Sequence, residues 1–192
     1  MKIYKYDNYE EYVDIQTKAN IKKIENIWVQ ESTIIEICKR YPTAKKILCH
    51  GTRNGAEQRY FHKHLSDAYI IGTDISHTAN QYENTVQLDF HEVKAEWVDT
   101  FDIIYSNSFD HSYDPKKCLH TWLEQLNKSG ILCVEMVFDP INNRMRASDP
   151  LEIAPDEFTN LVLQMNGNIV NRVKLKSHAR SNNSILYFIS KG

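Results

Sequence analysis

The chain has 192 residues and a mass of 22.5 kDa, which fits one domain with a substantial core and at most a small appendage. A formal charge of -2 and a pI near 6.4 give no net attraction for nucleic acid, whose binding needs Lys and Arg gathered on one face. No apolar run approaches the roughly 20 residues of a membrane span, and the polar start Met1-Lys-Ile-Tyr-Lys-Tyr-Asp-Asn8 lacks a signal-peptide core, so a cytoplasmic location is expected.

Residues 1–41 are rich in Tyr, Lys, Glu and Ile, with apolar positions at Ile21, Ile24 and Trp28 and then Ile34, Ile35 and Cys38 at helical spacing. This predicts two helices ending before Pro42, a helical extension ahead of a main domain spanning 42–192. From Lys45 the rhythm changes to short apolar runs at Ile47–Cys49, Ala68–Gly72, Val86–Leu88, Phe101–Tyr105 and Ile131–Val137, which read as strands. Helices are predicted over Ala56–Leu65 and Pro115–Leu126, while the third connection is shorter and less clearly helical. The alternation implies βαβ units and a parallel sheet, an α/β fold. After a helix predicted over Pro155–Gln164, the runs Ile169–Leu175 and Ser184–Ile189 are separated only by polar residues 176–183. A parallel pair needs a crossover of about a dozen residues or more, so these two must form an antiparallel hairpin if they pair directly.

Cys38, Cys49, Cys118 and Cys133 lie far apart with no C-x-x-C pair and are expected as buried, reduced thiols. His62-x-His64 would aim its rings to different sides of a helix with no acidic partner at ligand spacing, so no metal site is expected.

Four stretches carry chemistry. Cys49-His-Gly-Thr-Arg-Asn-Gly55 joins a strand to a helix through glycines that permit positive φ or close backbone approach, with the helix N–H groups aimed at the turn. Asp74 ends the second strand, where a carboxylate grips ribose hydroxyls in nucleotide-binding α/β folds; a turn or helix cap is the alternative. Asp89-Phe90 ends the third and offers a carboxylate to an exocyclic amine and a ring to an adenine face, or a plain strand-end cap. Ser106, Asn107, Ser108, Asp110 and His111 crowd the loop after the fourth strand, at the edge where open α/β sheets bind ligands; turn chemistry leading to the Pro115 helix is the other reading.

In this order, and with the closing hairpin, the motifs resemble the class I S-adenosylmethionine-dependent methyltransferases over roughly residues 45–189. The resemblance is closest to the small-molecule, methyltransferase type 11-like branch containing the ubiquinone and menaquinone C-methyltransferases. There a Leu-Glu-His-Val-x-Asp-Pro-like stretch follows the fourth strand; here it reads Phe109-Asp-His-Ser-Tyr-Asp-Pro115. The resemblance implies a Rossmann-like three-layer sandwich whose seven-stranded, mostly parallel sheet has an antiparallel last strand. It also implies S-adenosyl-L-methionine over the first loop with Asp74 on the ribose. The cofactor-binding set is then His50, Gly51, Thr52, Arg53, Gly55, Asp74, Ile75, Asp89, Phe90, Ser106, Asn107 and Ser108. The first loop departs from the family: Cys49 stands at its acidic position and Arg53 at its central glycine. Arg53 has a fork suited to the cofactor carboxylate, and Glu57 is the nearby candidate to replace the lost acid or to favour the helix N-terminus.

Methyl transfer from a sulfonium is an in-line displacement, so the protein mainly aligns the partners and excludes water. For a hydroxyl or carbon acid a base must take a proton, and His111 and Asp110 are the catalytic candidates. Tyr4, Tyr6, Tyr9, Tyr12 and Trp28 form either a lid or ordinary packing. A small-molecule acceptor is expected, a sugar or other metabolite with O- or C-methylation unresolved, met by Asn142, Asn143, Arg144 and Arg146 of an insertion at Asp139–Pro155. The alternatives are a catalytically degenerate methyltransferase fold that binds a partner or cofactor, and a nucleic-acid amino-methyltransferase, since Ser106-Asn-Ser-Phe109 is faintly similar to Asn-Pro-Pro-Tyr but lacks both prolines. A nicotinamide-dependent dehydrogenase fits poorly with the missing central glycine and the terminal hairpin.

Overall fold

Residues 1–138, 145–175 and 184–192 are described here from a computed structural model. In chain order the elements are β1 (Lys2–Ile3), α1 (Tyr9–Lys22), α2 (Glu31–Arg40), β2 (Lys46–His50), α3 (Ala56–His64), β3 (Tyr69–Asp74), β4 (Thr85–Gln87), β5 (Phe101–Ser106), α4 (Pro115–Gln125), β6 (Leu126–Val137), β7 (Leu151–Glu152), α5 (Pro155–Gln164), β8 (Gly167–Leu175) and β9 (Ser184–Lys191). Local chemistry sets several starts. Asn8 caps α1 by accepting the Glu11 amide at 2.9 Å, and Asp114 caps α4 by accepting the Lys117 amide at 3.0 Å, with Pro115 in the first helical position.

One sheet runs in the order β4-β3-β2-β5-β6-β9-β8. Strands β2 to β6 are mutually parallel, and β9 lies antiparallel to both β6 and β8, the hairpin expected from the short 176–183 connection. Side-chain alternation splits the core into two layers. Leu48, Ile104, Leu132 and Val134 pack with Trp122 of α4 and Phe158 of α5; Ile47, Cys49, Ile103 and Cys133 pack with Ile34 and Ile37 of α2 and Phe61 of α3. The third connection holds only a 3₁₀ turn at Ala95–Trp97, in line with its weak helical pattern. All four cysteines are free and buried. Among the described residues, no helix is long and apolar enough to cross a membrane.

The extension differs from its expected pattern. Helix α1 ends at Lys22, so Ile24 and Trp28 fall outside it, and Ile21 and Trp28 are exposed. Its buried residues are Tyr12, Gln16 and Asn20, a largely polar i, i+4, i+8 stripe. The reason lies in what the helix covers: it crosses the carboxyl edge of the sheet, where the surface is polar. Helix α2 instead buries Ile34, Ile37 and Cys38 within the second core layer. The two-residue pair β1–β7, antiparallel through Lys2↔Glu152 and Ile3↔Leu151, tethers the first residues beyond this edge and was not legible as strand.

Trp122 anchors α4 to the sheet: it is fully buried, donates Nε1–H to the Phe90 carbonyl at 3.0 Å and stacks on His50 with centroids 5.2 Å apart. Trp122→Ala is expected to lower unfolding free energy by about 3–5 kcal/mol, read from urea denaturation, with a shift in midpoint rather than slope.

Candidate functional site

The β2–α3 turn is left-handed at three positions: Gly51 (φ 73°), Arg53 (φ 47°) and Gly55 (φ 72°). A Cβ at Gly51 would stand 2.7 Å from Ser108 Cβ and Oγ, so glycine is required by space as well as by φ. The left-handed conformation of Arg53 costs a non-glycine residue about 1–2 kcal/mol. What holds it there is visible: the Arg53 amide donates to Asp74 Oδ2 at 2.9 Å. Asp74 Oδ1 accepts the Ser76 amide and Asn20 Nδ2, both at 2.9 Å. Burial pushes the Asp74 carboxyl up, and the Ser76 and Arg53 amides oppose it.

Asp89 follows β4 at the same edge. His91 donates to Asp89 Oδ1 through its amide at 2.9 Å and its Nδ1 at 2.6 Å; His91 Nε2 meets Ser112 Oγ at 2.7 Å, and Tyr9 OH donates to Oδ2 at 3.0 Å. Burial raises the Asp89 carboxyl, but the hydrogen bond and charge of His91 outweigh it and the net shift is downward. Ser112-His91-Asp89 has the order of a hydrolytic triad, yet Ser112 and His91 are fully buried, so the array holds the carboxylate ionised and offers no accessible nucleophile. Phe90 lines the cleft beside Asp89.

The loop after β5 closes the third side. Ser106 Oγ donates to the His50 carbonyl at 3.1 Å and accepts the Ser108 amide at 3.1 Å, and Ser108 Oγ donates to the Gly51 carbonyl at 3.2 Å. His111 follows with Nδ1 3.1 Å from Gln16 Oε1, while Gln16 Nε2 donates to the Ser148 carbonyl at 3.3 Å. That second bond orients the amide, making His111 Nδ1 the donor and leaving Nε2 as the basic nitrogen. Nε2 lies 3.9 Å from Asp110 and 3.8 Å from Asp149, whose other oxygen pairs with Arg146. Among the described residues, Asp110, His111 and Asp149 are the one group of three metal-type ligands within 4.8 Å of one another. Asp149 reaches it from a distant loop, so no sequence spacing announces it.

The structure thus gathers Gly51, Arg53, Asp74, Ile75, Asp89, Phe90, Ser108 and His111 around one cleft. Six of the named residues, His50, Thr52, Gly55, Ser106, Asn107 and Asp110, do not line it. His50 is a correction: its ring lies in the core, bonded to Thr73 Oγ1 and Gln125 Oε1, both at 2.9 Å, because the strand alternation turns it beneath the sheet edge. Burial pushes its pKa down to about 4. The Thr52 hydroxyl lies under the turn, facing Gly72, and Ser106 is spent on bracing the two loops. Of the aromatic lid residues, Tyr12 lines the cleft and Tyr9 bonds Asp89, whereas Tyr6 OH donates to the Ala147 carbonyl at 2.6 Å. Asn142, Asn143 and Arg144 lie outside the described residues. Sequence reading missed Gln16, Asn20 and His91; the polar residues at helical spacing in α1 were the available sign.

Glu57 is buried next to Cys49 and Arg53, with Oε2 unpartnered. Burial, only partly opposed by its backbone hydrogen bond and Arg53, raises its pKa from 4.5 to about 8. A carboxyl raised in the folded state stabilises it fully below the unfolded pKa and loses that contribution as pH rises through about 8. The depressed His50 acts oppositely, its contribution being lost as pH falls from 6.5 through about 4. Glu57→Gln should therefore gain stability relative to the parent as pH is raised from about 5 to about 9, measured as urea midpoints across pH.

No family model and no curated protein matches the sequence. Solved structures do. The 1,6-didemethyltoxoflavin-N1-methyltransferase of Burkholderia thailandensis, with 1,6-didemethyltoxoflavin and S-adenosylhomocysteine bound, matches with a TM-score of 0.75 at 13% identity, over 98% of this chain and 92% of its own. The N-methyltransferase NodS of Bradyrhizobium japonicum, with S-adenosylhomocysteine, gives 0.71 at 13% identity over 93% and 99%. The plantazolicin methyltransferase BpumL, with a triazolic desmethylPZN analogue and S-adenosylhomocysteine, gives 0.69 at 14% identity over 95% and 96%. With the seven-stranded order above, these matches show that the chain has the fold of the class I S-adenosylmethionine-dependent methyltransferases.

Proposed function

We propose that the chain is a S-adenosyl-L-methionine-dependent methyltransferase acting on a small molecule, located in the cytoplasm. The observation that carries this is the pair of buried carboxylates, Asp74 and Asp89, facing one cleft with the left-handed turn at Gly51 and Arg53. The residues fit the cofactor: Asp74 suits ribose hydroxyls, Asp89 and Phe90 suit the amine and face of adenine, and Arg53, whose buried Nε has no partner, suits a carboxylate. When bound, the cofactor supplies an electrophilic methyl group on its sulfonium. The chain's own work is to align an acceptor, exclude water and accept a proton.

His111 is the residue for that proton. Gln16 leaves Nε2 as the base, and the imidazolium formed there would sit between Asp110 and Asp149, which stabilise it. Small-molecule acceptors in the matched structures, such as 1,6-didemethyltoxoflavin and a plantazolicin analogue, support the acceptor class. The acceptor itself is a sugar or other metabolite in this reading, and the formal charge of -2 disfavours nucleic acid. Residues 1–41 act as the covering extension. A second reading, a fold that binds a partner or cofactor without transferring, draws on Cys49 and Arg53, which stand where the resembled family has an acidic residue and a glycine.

Titration calorimetry with S-adenosylmethionine and S-adenosylhomocysteine tests the proposal. One-to-one binding is expected, weakened about 10- to 100-fold by Asp74→Ala, the loss expected for a charged hydrogen-bonding partner worth about 1.5–3 kcal/mol. Absence of binding by both ligands at about millimolar concentration would remove this reading.

A further inference from the structure

We infer that Asn20 makes an autoinhibitory contact, so that helix α1 is a gate which must give up Asp74 before the cofactor can enter. The inference rests on the cofactor reading above and follows from counting acceptor positions. A carboxylate offers about four lone-pair sites. On Asp74 three are occupied, by the Ser76 amide, the Arg53 amide and Asn20 Nδ2. Two ribose hydroxyls need two sites, and one is left. The Ser76 and Arg53 amides belong to the loops that build the site, so Asn20 is the donor that can leave.

Asp89 passes the same count without conflict. His91 and Tyr9 take three positions there, and a single amine needs the fourth. The obstruction is therefore local to the C-terminal half of α1, and the size of the cleft agrees. Its cavity volume is about 50 Å³, against about 300–1,000 Å³ for small-molecule sites, and Tyr12, Gln16, Ala19 and Asn20 of α1, with Lys23 just after it, form one wall.

The wall is built to be released. Asn20 is held by Thr78, whose Oγ1 donates to its Oδ1 at 2.9 Å, and Gln16 by Ser148 and His111, so polar contacts rather than apolar burial dock this part of the helix. Such contacts exchange for water or ligand at small net cost. The helix runs into a turn at Lys23 whose Ile24 and Asn26 carbonyls accept Asn54 Nδ2 at 2.8 and 3.2 Å, so this anchored turn is the fixed point about which the helix end pivots. Because Gln16 lies one turn before Asn20, withdrawal also frees His111 Nδ1, and entry of cofactor is thereby linked to the base.

The experiment compares the full chain with Asn20→Ala and Asn20→Asp, using S-adenosylhomocysteine as probe. Calorimetry and stopped-flow association give affinity and rate, and hydrogen exchange over Tyr9–Lys22 reports the helix. Asn20→Ala should bind about three- to tenfold more tightly and associate faster, since a competing hydrogen bond is gone. Asn20→Asp, which sets a carboxylate against Asp74, should open the gate further and lower α1 protection without ligand. Adding the probe to the parent protein should lower protection at the C-terminal half of α1. Unchanged or weaker binding by Asn20→Ala, with protection of α1 rising on binding, would make Asn20 a cofactor ligand and overturn the gate. Failure of parent and variants alike to bind at about millimolar probe, all folded by circular dichroism, removes the cofactor reading and the gate with it.

Discussion

The hydrogen bond from the Arg53 amide to Asp74 joins the two loops on which the whole cleft depends. It requires β2 and β3 to be parallel neighbours in register, with His50 opposite Thr73, so that the turn leaving one strand meets the carboxylate ending the other. The Gly51 and Thr52 amides both donate to the Thr73 carbonyl, at 2.8 and 2.9 Å, and complete the junction. Strand β5 lies on the other flank of β2 and delivers Ser106 and Ser108 onto the same turn. The site stands where strand order reverses about β2, the place at which open α/β sheets gather ligand-binding loops.

Two kinds of packing divide the molecule. Beneath the sheet edge the cores are apolar, and the His50 ring within them has a fixed partner at each nitrogen. Above it the contacts between α1 and the loops join ring packing, with Tyr12 and Tyr113 4.5 Å apart, to hydrogen bonds: Tyr9 to Asp89, Gln16 to Ser148, Asn20 to Asp74. The first kind fixes geometry, because a void or a rotamer change there is costly. The second is cheaper to exchange, which suits a surface that has to accommodate something else.

Much of this was legible in the chain. The strands from Ile47 onward and the closing hairpin follow from short β-rich runs and one connection too short for a crossover, and the ends of those strands indicated where Asp74, Asp89 and Ser108 would meet. The misreadings share a physical cause. Periodicity finds apolar faces, and α1 turns a polar one inward; Ile21 and Trp28 therefore misled, while Gln16 and Asn20 gave no apolar signal. His50 was taken with its neighbour Gly51, but alternation along β2 sends its ring into the core and leaves only the turn at the cleft. Asp149 and His111 come from different loops, and only the folded chain brings them within 3.8 Å.

The position of β9 has a consequence for how the chain is made. β9 follows β8 in sequence yet lies between β8 and β6, paired to both. β8 precedes β9 in the chain and has no other strand to join in this sheet; β2 to β6 pair among themselves, and of these β6 also needs β9. Until β9 is in place, β6 has an open edge and β8 has no partner in the sheet. Such an edge is what a holding chaperone or an aggregating neighbour recognises, and insertion of β9 removes it in one step.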